Sequence, residues 1–149
     1  MSESIENVAT VLEQELTATI QRWMKRVDEI PELTSIHLDY EQRTGHLPQL
    51  IADLITRLRL NENEQRPETT SAHDHGNVRF EQGYSVTMLV EESRMLQVCI
   101  FDTLQQNLAT IDFSVLLIGV MTIADEIDSQ LSQAMDSFIA RLIADAVPA

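Results

Sequence analysis

Apolar residues recur at steps of three and four along nearly the whole chain, and almost nothing interrupts them. That period matches one face of an α-helix and fits no strand, whose side chains alternate between faces at every residue. In the first stretch Ile5, Val8, Leu12, Leu16, Ile20, Trp23 and Val27 make one stripe, which predicts a continuous amphipathic helix over about 4–28. Ile30 and Pro31 end it, because proline lacks a backbone donor and disfavours helix in the residue before it. With only 4 Gly and 4 Pro in 149 residues, each such breaker is a punctuation mark. A short helix is expected over about 35–44, stopped by Gly45. Pro48 suits the first turn of the next helix, with Leu50, Ile51, Leu54, Ile55 and Leu58 on its apolar face. Residues 61–72, NENEQRPETTSA, carry no apolar period and read as an internal loop. A short helix starting near Thr70 should carry His73, His75 and Arg79 and close at Gly83. Ser85 then caps a helix to about Leu108, and Asp112 caps the last and longest, over about 113–146. The fold class expected is all-α: one domain over 1–149, a single bundle of about six helices, four of them long, around a four-helix core.

The last helix has a second property. Phe113, Leu117, Val120, Ala124, Ile127, Leu131, Ala134 and Phe138 follow alternating steps of four and three, a seam of roughly 38 Å at about 1.5 Å per residue. Two accounts fit it. The helix packs against its neighbours in the bundle, or its C-terminal half pairs with the same helix of a second copy in a homodimer, and the two can coexist. Ile123, Met135, Ile139 and Ile143 add apolar area beside the seam, and Arg141 interrupts it.

The charge is one-sided, with 24 acidic against 10 basic residues, of which Lys25 alone is lysine, for a net charge of -14. Such a surface repels phosphate backbones and anionic lipid, which argues against nucleic acid and membrane as partners. No apolar run approaches the ~20 residues of a membrane span, and MSESIEN does not read as a signal peptide. Cytoplasmic localisation is the expectation. Cys99 is the only cysteine, so there is no internal disulfide and no multi-thiolate zinc site. It falls on or beside an apolar helix face, with Glu92 and not a cation one helical repeat earlier, the setting of an inert buried thiol.

Candidate chemistry centres on the histidines. His73 and His75, two apart on a helix, point in different directions; His37 and His46 fall near helix ends. No HExxH or paired ExxH motif is present, and no metal or haem site is expected; if one existed, His75 or His46 would be its ligand. No nucleophile elbow or Gly-rich phosphate loop occurs, so no catalytic residues are assigned. HDHGNVR lacks the residues that follow the phosphoacceptor histidine in kinases. One position stands out. Glu92 falls on the stripe of Leu89, Leu96, Cys99 and Thr103, and a carboxylate on an apolar face is costly unless satisfied. The nearest positive groups across the Gly83-Tyr84 turn are His75 and Arg79, four apart on one face. A partly buried network of His75, Arg79 and Glu92 is expected, with Tyr84 and Arg94 at its edge. It is either a polar bracket that fixes a helix crossing or part of a ligand pocket or switch.

The stretch carrying these residues, Ala72, His75, Gly76, Arg79, Gly83, Tyr84, Ser85, Leu89, Glu92, Arg94 and Leu96, resembles the RsbRD N-terminal sensor domain family. That family precedes STAS domains in stressosome co-antagonists and opens some bacterial histidine kinases. HLPQLIADLITRLR, residues 46–59, is similar to the family's leucine-rich helix, and the likeness extends over roughly 5–145. Ser93 replaces an aromatic residue usual there, and Gln97 a basic one. The resemblance implies a globin-like helical input module, generally without haem, that lacks catalytic activity and hands a signal through its C-terminal helix to a kinase or STAS module. An end so soon after that helix, at AVPA, suits either a piece of a longer protein or a free-standing relative.

Overall fold

A computed structural model describes residues 2–60, 63–65 and 67–146, with side chains from residue 5 onward. Eight α-helices and one short 3-10 turn make up the described residues, with no strand among them: α1 (Ser2–Gln14), α2 (Leu16–Asp28), α3 (Pro31–Thr34), α4 (Tyr40–Thr44), α5 (Leu47–Leu58), α6 (Ser71–Glu81), α7 (Val86–Gln106) and α8 (Phe113–Ala146). The all-α bundle with a long C-terminal helix is what the periodicity predicts. Two boundaries differ. The single helix expected over 4–28 is bent at Glu15 into α1 and α2. The hydroxyl of Thr19 donates to the Glu15 carbonyl at 2.8 Å, a side-chain competitor for the helix ladder that bends a helix, and it also meets the Thr103 hydroxyl at 2.7 Å. Of the helix expected over 35–44 only the single turn α4 forms, and a further single turn, α3, precedes it at Pro31–Thr34. Pro31 starts α3, its ring suiting a first helical turn, and a capping box of Asp39 and Gln42 starts α4.

The other signals act as expected. Gly45 ends α4 at φ 48°, and Gly83 turns the chain between α6 and α7 at φ 90°. Ser85 accepts from the Met88 backbone to start α7. Asp112 accepts from the Ser114 backbone at 3.0 Å at the head of α8. Parts of the 61–72 loop, at 61, 62 and 66, lie outside the described residues, and α6 begins at Ser71.

The core joins Val8 and Leu12 of α1, Trp23 and Val27 of α2, Ile51 and Leu54 of α5, Leu89 and Ile100 of α7, and Ile123 and Phe138 of α8. α6 packs chiefly on α8, and α2 on α7. The first of these contacts is unusually close. A Cβ placed on Gly76 would lie 2.0 Å from the Ala134 carbonyl oxygen, so the two helix backbones touch and only glycine fits. Phe80 packs edge-on to Phe138 at 5.3 Å, and His73 Nδ1 meets the Ser137 hydroxyl at 2.8 Å, on the same crossing.

The seam of α8 requires a correction. Ile127, Ala134 and Phe138 are buried in the chain's own core, along with Val115, Gly119 and Ile123, and are not free to meet a second copy. Phe113 (74% exposed) and Leu117 (69%) face outward. A straight helix at 3.6 residues per turn drifts against a seven-residue repeat, so one seam ends up divided between two faces. What lies outward keeps Phe113, Leu117, Val120, Ala124 and Leu131 of the seam and adds Met121, Met135, Ile139 and Leu142, all exposed or half-buried, with Val120, Leu131 and Met135 also packed against the core. On the helical wheel Asp128 is the one charged residue that shares this face among the described residues of α8.

Candidate functional site

Arg79 and Glu92 form the centre of the polar network. Both are nearly inaccessible, at 1% and 3% exposure, and Arg79 Nε donates to Glu92 Oε1 at 2.9 Å. The remaining guanidinium nitrogens reach across to α4. Nη1 donates to the Gln42 carbonyl at 2.9 Å and to Gln82 Oε1 at 2.7 Å, and Nη2 to the Arg43 carbonyl. Because α4 stops at Gly45, its last carbonyls lack helical partners, and Arg79 supplies them. The second carboxylate oxygen of Glu92 accepts from the Tyr84 hydroxyl at 2.5 Å. Trp23 Nε1 donates to the Glu92 backbone carbonyl at 3.2 Å. One residue thereby links α2, α6, α7 and the Gly83 turn.

His75, Arg79, Tyr84 and Glu92 are brought together as the sequence suggests; Arg94 is not. It points away, 57% exposed, and pairs with Glu91 on its own helix at 3.0 Å. On α7 residues 92 and 94 lie on opposite sides, so the residue that faces the cluster cannot be Arg94. The cation missing from the expectation is Arg43. It is buried, donates to the Tyr84 hydroxyl, and holds the carbonyls of Leu33 at 3.1 Å and Ile36 at 2.6 Å. Read in one continuous helix over 35–44, Arg43 has no reason to turn inward; with 35–39 outside any helix, the carbonyls of Leu33 and Ile36 are open to its guanidinium.

A second polar cluster was also missed. Glu126, fully buried on α8, meets Arg57 at 3.3 Å and accepts from Gln130 at 2.9 Å, while Arg57 also pairs with Asp125. Gln130 further donates to the Leu50 carbonyl of α5 at 2.9 Å. The signal was present: Glu126 sits between Ile123 and Ile127 just as Glu92 sits between Leu89 and Leu96.

Electrostatics follow from burial. Desolvation raises the Glu92 carboxyl above the usual carboxylate range, opposed by Arg79 and the Tyr84 hydroxyl. His75 is driven down to about 3, first by desolvation and then by the Arg79 guanidinium and His46, so the ring is neutral at physiological pH. Its Nε2 stands 3.8 Å from Glu92 Oε1, too far for a hydrogen bond. The His46 ring stands edge-on to it at 6.0 Å, and His46 Nδ1 is buried without a hydrogen-bond partner. No group of three or more His, Cys, Asp or Glu side chains able to hold a metal occurs among the described residues. Cys99 is fully buried, and burial pushes its thiol up to about 11.

Beside the network lies a cavity of about 40 Å³, bounded by Trp23 of α2, Leu47 and Leu50 of α5, His75 of α6, Glu92 and Leu96 of α7, and Ile127 and Leu131 of α8. Its size leaves no room for a porphyrin. No protein-family model, curated protein or solved structure matches this chain. No described helix is long and apolar enough to cross a membrane. In chemical terms the site offers a closed ion pair, rigidly held, and one neutral imidazole with unused nitrogens at the edge of an apolar cavity.

Proposed function

We propose that the chain is a non-catalytic, cytoplasmic sensory input module of a bacterial signal-transduction protein, of the histidine-kinase or stressosome type. It acts as a homodimer and passes a conformational signal along α8 to a kinase or STAS module of the same or a partner chain. The observation that carries this reading is that α8 is apolar on two faces, one closing the core and one exposed or half-buried along roughly 44 Å at about 1.5 Å per residue. In a chain of net charge -14, a face with Asp128 as its only charge is the place where two copies meet without strong repulsion. The buried network abuts this helix through the Gly76–Ala134 contact, one residue from His75 and three from Arg79. Close-packed backbones shift as units, so a change at the network displaces α8 instead of being absorbed locally. The resemblance to the RsbRD N-terminal family supports the same assignment.

Light scattering on the purified chain tests it. A dimer is expected, converting to a folded monomer in Leu117→Glu/Met121→Glu, whose two positions are exposed and leave the core intact. A monomer in the unchanged protein refutes the dimeric relay.

A further inference from the structure

The cavity at His75 poses an accounting problem. At about 40 Å³ it holds roughly three water-sized groups, since one water needs on the order of 10–15 Å³ by the same measure. Its wall is mostly aliphatic and indole, whereas each buried water requires two to four polar partners. Of the polar side chains on the wall, Thr44, Arg79, Glu92 and Gln130 already hydrogen-bond to protein groups, which leaves few partners for such waters. Yet the wall is not wholly apolar. Neither ring nitrogen of His75 hydrogen-bonds to a protein group among the described residues, and Ser93 lines the same wall. The two charges that touch the cavity, Arg79 and Glu92, are bound to each other at 2.9 Å. A charged guest would lose its hydration with no unpaired charge on the wall to offset the loss.

We propose that this cavity is a binding site for a small uncharged ligand, an apolar body of a few heavy atoms carrying one hydrogen-bonding group that faces His75. Short-chain alcohols represent the class. The imidazole suits this task because burial keeps it neutral, with one nitrogen to donate and one to accept. The position suits a signal as well. Ile127, Gln130, Leu131 and Ala134 of α8 all line the cavity, and Leu131 also belongs to the outward stripe. An occupant therefore presses on the helix that the sensory reading makes the output. The proposal rests on that reading for its purpose, though not for its chemistry.

Trp23, the sole tryptophan, lines the cavity and provides the probe. Its indole N–H resonance is followed while the full chain is titrated with 1-propanol, and separately with propionate and propylammonium. Saturable shifts are expected with propanol alone. His75→Leu, which keeps the cavity but removes the hydrogen-bonding partner, should weaken propanol roughly five-fold, the range of one net hydrogen bond. Ala72→Val, at a buried wall position, should abolish the shift; should that variant not fold, Leu96→Ala should bind 1-butanol more tightly than the unchanged protein does. A linear, unsaturable response to propanol, equal binding of propionate, or no weakening in His75→Leu overturns the proposal. A dimer that fails to bind propanol refutes the ligand site alone, whereas a monomer that binds it refutes only the relay.

Discussion

Replacing Gly76 by alanine tests the close approach of α6 to α8. The added Cβ would sit 2.0 Å from the Ala134 carbonyl oxygen and 2.7 Å from its carbon. A carbon approaches a carbonyl oxygen to about 3.3 Å at best, so α6 must retreat from α8 by roughly 1.3 Å. That retreat loosens the Phe80–Phe138 and His73–Ser137 contacts and pulls Arg79 away from Glu92. Overpacking of a core costs about 1–3 kcal/mol, and an obstacle made of backbone belongs at or above the upper end. Against this stands a gain of about 1 kcal/mol from exchanging glycine for alanine inside a helix. A net loss of about 2 kcal/mol remains. With an unfolding entropy near 2.1 cal/mol/K per residue over 149 residues, this lowers Tm by about 6 °C. Calorimetry measures it directly. The control is Gly83→Ala, where nothing lies within 4 Å but φ is 90°, so only backbone strain of about 1–2 kcal/mol applies. A Gly76→Ala protein with an unchanged or higher Tm would show that helix propensity dominates and that the backbones do not touch.

Arg79→Ala should cost about 3–5 kcal/mol in urea denaturation, because it strands the Glu92 carboxylate and the Gln42 and Arg43 carbonyls, while Arg94→Ala should leave the midpoint unchanged. His75 binds a proton near pH 6.5 when unfolded but only near 3 when folded, so acid favours the unfolded chain. Its contribution to stability should therefore fall as pH drops from about 6.5 toward 3, by at most about 1.4 kcal/mol per pH unit. A His75→Gln variant should show a shallower acid slope in denaturation midpoints. Native Cys99 should resist a thiol-specific reagent at pH 8 and react fully once denaturant is added.

The helical class was legible because helix needs only local information: period, caps and breakers all lie within a few residues of one another. Glu92 was legible for a related reason, since a carboxylate on an apolar stripe demands a partner whatever the fold. Arg43 was not. Its inward turn depends on the chain leaving α3 and entering α4 at an angle, which no periodicity records. The division of the α8 seam was hidden likewise, because a heptad pattern does not say which of two neighbouring faces the rest of the chain will cover. Arg94 illustrates the converse error: proximity in sequence to Glu92 placed it near the network, and the helical phase put it on the other side.

The central claim is that the state of the buried network is read at α8. Double electron–electron resonance tests it on Cys99→Ser protein labelled at Ala144→Cys, an exposed position near the end of that helix. The distance between labels in the dimer is compared with and without Glu92→Gln, which removes the charge but keeps the shape of the side chain that Arg79 and Tyr84 hold. A displaced distance distribution, with the dimer intact, is the result predicted. Superimposable distributions in a folded Glu92→Gln dimer, or no dimer at all, would contradict it.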